Sequence, residues 1–180
     1  MESSRKITAR NGHEIILRPA VPEDSAAILR TIKSPAPERS YILAEQVGNS
    51  ADAERNYLAS LDTEKSLLLV ATENSEVIGV LAVVQADQGK RHEAAGGAHI
   101  GLHISDGHRG LGIGSGMLAY ATEWAVARGF TMLDACIFTT NMVSLNIFKR
   151  AGFSEENLKL RKIRFGNECI AEVCVVKCLD

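Results

Sequence analysis

Apolar positions along this chain recur with two periods, and the two take turns. The run EIILRPA (14–20) is short, apolar and ends around a proline, which reads as a strand. PEDSAAILRTIK (22–33) follows with a proline and two acids at its head. That is the chemistry of a helix N-terminus, where a missing N–H costs nothing and negative charge meets the positive end of the helix dipole. SADAERNYLASLD (50–62) is a second helical stretch. Between the two, SPAPERSYILAEQVGN (34–49) has two prolines and no clear period, so the mobile part of the chain is expected there.

Strand periods then dominate. SLLLVATENSEVIGVLAVVQ (66–85) is two apolar runs around the polar stretch Glu73 to Glu76, which predicts a hairpin. DQGKRHEAAGG (87–97) is a polar loop, and AHIGLHI (98–104) is a strand that runs into HRGLGIGSGML (108–118). In SGMLAYATEWAVARGF (115–130), Met117, Leu118, Ala121, Trp124 and Ala125 fall at offsets of three and four, with Gly129 as a stop, which predicts an amphipathic helix. TMLDACIF (131–138) is the next strand, MVSLNIFKRAG (142–152) a short helix closed by Gly152, and KIRFGNECIAEVCVVKCL (162–179) a hairpin turning near Gly166-Asn167. No repeat, linker or low-complexity block divides the chain. The expectation is one mixed α/β domain over residues 1–180.

Composition changes this picture little. With 180 residues, 46% hydrophobic and 23% charged, the chain is an ordinary globular length and mix. A formal net charge of -2 offers no broad basic field, which argues against nucleic acid as a main ligand. The opening MESSRKITARNGHE lacks the apolar core of a secretory signal, and no apolar run is long enough to span a bilayer. A soluble, cytoplasmic protein is expected. Cys136, Cys169, Cys174 and Cys178 form no C-x-x-C pair, so the expectation is reduced thiols and no metal.

The candidate chemistry lies in the glycines at 110, 112, 114 and 116, between a strand and a helix. Unpaired N–H groups and the positive end of the helix dipole gather there, and missing side chains let an anion approach the backbone. A phosphate-cradling turn is the physical reading. The dinucleotide pattern G-x-G-x-x-G fails because it needs glycine at 115 or 117, where Ser115 and Met117 stand, and no lysine follows as a P-loop requires.

What fits is R-x-x-G-x-G, from Arg109 to Gly114, and with it the chain resembles the GCN5-related N-acetyltransferase (GNAT) superfamily. LRPAVPEDSAAI (17–28) looks like that family's first strand and helix, and NMVSLNIFKRAGF (141–153) is similar to its later N-x-x-S…GF segment. Three motifs in order cover nearly the whole chain. The resemblance implies an α/β fold whose central, mostly antiparallel twisted sheet splays between the fourth and fifth strands, flanked by helices. It implies acetyl-CoA as cosubstrate, without a metal, and transfer of acetyl to a primary amine of a small molecule, an amino acid or a protein N-terminus by direct attack. Acetyl-CoA and an amine are then the expected partners, with no nucleic acid, no membrane, and a homodimer left open.

Roles follow position by position. Arg109, Gly110, Leu111, Gly112, Ile113 and Gly114 would hold the pyrophosphate. Leu102, His103 and Ile104 would pair with the pantetheine arm, and Asn141 and Ser144 match positions that approach the coenzyme. Two departures stand out: Phe148 occupies the place where many relatives have a tyrosine acid, and Cys136 a place where several have glutamate. For proton transfer, His99 and His103 share one strand face with Gly101, and Asp134 shares parity with Cys136, which makes Asp134 a catalytic candidate. The missing tyrosine and glutamate keep a second reading open, a degenerate acyl-CoA-binding sensor or interaction domain.

Overall fold

A computed structural model describes residues 4–33, 50–85, 96–155, 161–165 and 168–179. Among the described residues, nine strands form one sheet. They are β1 (Arg5–Thr8), β2 (Glu14–Pro19), β3 (Ser66–Glu73), β4 (Glu76–Gln85), β5 (Gly97–Ile104), β6 (Met132–Phe138), β7 (Ser154–Glu155), β8 (Arg161–Phe165) and β9 (Glu168–Cys178). The helices are α1 (Ser25–Lys33), α2 (Ala51–Ala59), α3 (Ile113–Ala127) and α4 (Met142–Arg150). The strand order is β1-β2-β3-β4-β5-β6-β9-β7, with β8 also on β9.

Every pairing is antiparallel except β5 with β6, which run parallel. Parallel neighbours need a long crossover, and α3 supplies it. Their pairing is brief, from Gly97↔Met132 to His99↔Asp134, and the two strands then part. These are the fourth and fifth strands of the sequence reading. The count moves by one because β1, a four-residue strand that the apolar pattern does not reveal, precedes them. The two-residue β7 was equally invisible.

Both faces of the sheet are covered, which is why β3 and β4 read as continuous apolar runs. One face joins Leu17, Leu69, Leu81, Ile100 and Leu133 to Met117, Leu118 and Trp124 of α3. The other carries Leu68, Val70, Val80 and Ala82 under Ile28 of α1 and Leu58 of α2. The α3 helix stops as its sequence predicts: Gly129 takes φ 74° and the Phe130 N–H donates to the Ala125 carbonyl at 3.0 Å. The β3–β4 turn is tight, with Asn74 and Ser75 both at positive φ, the twist a two-residue hairpin prefers.

Proline and acids do open the first helical segment, but Pro22–Asp24 form a turn of 3-10 helix before α1. Asp24 accepts from the Val21 N–H at 2.8 Å and pairs with both Arg18 guanidinium nitrogens at 2.7 and 2.8 Å. Residues 34–49, most of the loop 87–97 and the turn at Gly166-Asn167 lie outside the described residues.

The expectation of reduced thiols is corrected at one pair. Cys136 and Cys174 are joined as a disulfide. They oppose each other directly in the β6–β9 ladder with Cα atoms 4.2 Å apart, the closer kind of antiparallel pair. Their spacing of 38 residues in sequence carries no sign of that contact.

Candidate acetyl-CoA and acceptor site

Where β5 and β6 separate, a cavity of about 590 Å³ opens between them. Its lining draws on both faces of the sheet. Leu102, Ile104, Ala135 and Ile137 belong to the α3 and α4 side, and Gly101, His103, Cys136 and Phe138 to the opposite side. Without the splay this space would be filled by a strand ladder.

At the α3 end, four glycines serve two separate purposes. Gly110 and Gly112 take φ 74° and 88°, and a Cβ at either would meet nothing within 4 Å. Backbone conformation, rather than crowding, demands glycine there. Gly112 caps α3 without a side-chain hydrogen bond, and the first helical bond runs from the Gly116 N–H to the Gly112 carbonyl at 3.1 Å. The N–H groups of Ile113, Gly114 and Ser115 precede that bond and emerge at the positive end of the helix, beside open space. Gly114 and Gly116 are packing glycines instead. A Cβ on Gly114 would sit 3.2 Å from Leu102 Cδ2, and one on Gly116 would sit 2.8 Å from Ile7 Cδ1.

The turn is braced from its own loop and from the first hairpin. Arg109 Nε donates to the Ile104 carbonyl at 3.0 Å, and its Nη2 lies 3.1 Å from Asp106. Arg10 donates from its N–H to the Leu111 carbonyl at 3.0 Å and from Nη1 to the Gly110 carbonyl at 3.2 Å. Glu73 completes the support, accepting from His13 Nδ1 at 2.6 Å and His108 Nε2 at 3.1 Å. The bond from His13 above all, aided by the one from His108, holds the Glu73 carboxyl below the usual carboxylate range.

Most residues that the sequence singled out meet here. Leu102, His103, Ile104, Arg109, Gly110, Gly112, Ile113, Gly114, Asn141 and Ser144 all line the cavity. Leu111 does not: it packs against the core while its carbonyl takes the Arg10 N–H. Asn141 caps α4, its Oδ1 accepting from the Ser144 N–H at 2.9 Å, so its amide nitrogen is the donor left to serve a ligand. Asp134 is absent from the lining. His99 Nδ1 donates to its Oδ2 at 2.6 Å, and these two form the last register pair before the strands part. Parity was read correctly from the sequence, but position along the strand keeps Asp134 at the root of the splay, and that depends on register.

Four ionisable lining residues escaped the sequence reading: Arg10, His108, Arg150 and Glu172. His108 adjoins the glycine motif and was legible in principle. Arg10 comes from the turn between β1 and β2 and Glu172 from β9, both distant in sequence from the glycine motif, and neither carries a local signal. Phe148 lines the cavity while only 2% exposed, with its ring edge-on to Phe153 at 4.9 Å between centroids.

The sequence profile of the Acetyltransferase (GNAT) family matches residues 30–153. The chain belongs to the GNAT acetyltransferase family. Solved structures agree in fold. A GNAT-family acetyltransferase from Streptococcus pneumoniae superimposes with a TM-score of 0.76 at 22% identity, over 92% of this chain and 99% of that one. A ribosomal-protein-alanine N-acetyltransferase from Brucella melitensis gives 0.74 at 24% identity, over 91% and 99%. A putative acetyltransferase from Salmonella typhimurium, solved with its cofactor acetyl-CoA, gives 0.72 at 18% identity, over 92% and 94%. No curated protein matches the sequence.

The groups present suit such a ligand. Helix N–H donors with Arg10, His108 and Arg109 around the glycine turn answer a pyrophosphate, and the apolar walls of the splay answer an extended thiol arm.

Proposed function

We propose that this GNAT protein transfers the acetyl group of acetyl-CoA to a primary amine by direct attack. The observation that carries the proposal is the passage through the sheet at the β5–β6 splay, with a helix N-terminus and basic side chains at one end. Gly110, Gly112 and the N–H groups that open α3 bind the pyrophosphate in this reading. Arg109 acts mainly as a brace, since its guanidinium is turned onto Ile104 and Asp106. The β5 edge from Ile100 to Ile104, no longer paired with β6, lends its backbone to the pantetheine amides. Asp134 is reassigned from proton transfer to holding His99, and so β5 to β6, where the splay begins.

The acetyl carbonyl gains from an apolar setting in which backbone donors stabilise developing negative charge. Phe148 donates no proton to the leaving thiolate. A coenzyme thiolate is a stable enough anion to depart without one. The same residue favours the second reading, a coenzyme-binding domain without turnover. Calorimetry with acetyl-CoA, followed by thiol release over a panel of primary amines, separates the two. Binding with turnover is expected; binding without turnover on any amine selects the sensor, and no binding overturns both.

A further inference from the structure

The lining of the cavity carries one acid among several basic groups. Arg10, Arg109, Arg150, His103 and His108 are its arginines and histidines, and among the described residues that line it Glu172 is the one carboxylate. Glu172 is only 5% exposed. It lies on β9 opposite Phe138 of β6, on the face of the sheet that carries Cys136 and His103 and away from α3. Among the described residues, no other residue of β9 lines the cavity. The coenzyme end is thus assembled from β5, the glycine turn, α3 and α4, whereas β9 contributes a single acid at the far side of the gap.

An anionic coenzyme has no use for a carboxylate, but an amine does. At neutral pH a primary amine is mostly an ammonium ion, attracted by negative charge and inert as a nucleophile until it loses a proton. We propose that Glu172 docks the acceptor's ammonium group and takes its proton, which makes the acceptor a cationic amine without a neighbouring carboxylate. This rests on the acetyltransferase reading above.

The step balances. One ammonium proton passes to Glu172, and the freed nitrogen lone pair forms the bond to the acetyl carbon. The carbon–sulfur bond breaks, the sulfur leaves with its electron pair and takes the second nitrogen proton, and Glu172 returns its own proton to water. The other titratable group of this part of the lining is His103 of β5, and Arg161 of β8 holds the register position opposite Glu172. His103, 7% exposed, is the rival base, but an imidazole carries no negative charge to hold an ammonium ion.

The test uses Glu172→Gln and Glu172→Asp with acetyl-CoA, and as acceptors tyramine, tyrosine, which differs from it by one carboxylate, and water. In the wild type, tyramine should exceed tyrosine in kcat/KM by at least about tenfold. Glu172→Gln should leave acetyl-CoA affinity within about twofold, which also certifies the fold, while lowering kcat/KM for tyramine by on the order of a hundredfold. It should erase the preference over tyrosine and push the rising limb of the pH profile to the alkaline side. Glu172→Asp should keep the wild-type pH profile at reduced kcat. Hydrolysis of acetyl-CoA, where water replaces the amine and needs the same base, should fall at least about tenfold in Glu172→Gln even if neither probe is accepted. Unchanged hydrolysis and aminolysis in Glu172→Gln would overturn the proposal, as would a limb that moves only in His103→Asn. Loss of acetyl-CoA affinity in Glu172→Gln would place the residue on the coenzyme side and overturn it too. Failure of the wild type to bind acetyl-CoA instead strikes the acetyltransferase reading itself.

Discussion

The two ends of the cavity are built on opposite plans. The proposed anion end is a stretch of nine consecutive residues, 108–116, and its groups are mostly backbone N–H donors aimed by glycines and a helix terminus. The proposed acceptor end is a set of side chains, His103, Cys136, Phe138 and Glu172, brought to one lining by the register of three strands. The first is robust to side-chain change but sensitive to backbone conformation. The second tolerates backbone variation in its loops but depends on which residue stands at each ladder position.

The sharpest way to break that contrast is Gly112→Asp. It places a carboxylate at the helix N-terminus in open space, so acetyl-CoA affinity should fall by on the order of a hundredfold, and by more than in the uncharged Gly112→Asn, which carries the same backbone strain at φ 88°. Calorimetry beside a thermal melt checks it. Equal affinity would move the coenzyme away from this turn. Gly114 is a poorer place for the same test, because a Cβ there already presses on Leu102.

Phe148→Tyr probes the boundary between the two ends. The added hydroxyl enters a buried, edge-on pair with Phe153, and the thiolate needs little help, so turnover at saturating acetyl-CoA should change by less than about tenfold. A gain of about a hundredfold would mean that the natural protein lacks an acid it needs, and would favour the sensor.

The smallest expected effect concerns the brace on the anion end. Glu73 is held below the ordinary carboxylate range, first by His13 and then by His108. Its contribution to stability is thus present above the unfolded value of about 4.3 and fades as pH falls through the depressed folded value. Glu73→Gln should cost only about 2 °C in Tm at pH 6, because His13 is exposed to solvent, and the gap to wild type should close towards pH 3. A gap that widens in acid would show that the carboxylate is not the partner that matters.

The sequence by itself determined the helices and most of the strands, because amphipathic spacing, the Gly129 stop and the two-residue hairpin turn are local instructions. It also carried the glycine turn, since positive φ at two positions and close packing at two others can be met by one residue type alone. It concealed β1 and β7, too short for a period to appear, and it did not reveal that Gly114 and Gly116 serve packing. Only the tertiary structure decided that Cys136 meets Cys174, that Asp134 stops at His99 below the cavity, and that Arg10 and Glu172 enter it. Parity along a strand is written in the chain and tells which face a side chain takes. Register between strands is not, because it is set by turns, bulges and the packing of every neighbour together, and a shift along the ladder moves an acid from the cavity to its root.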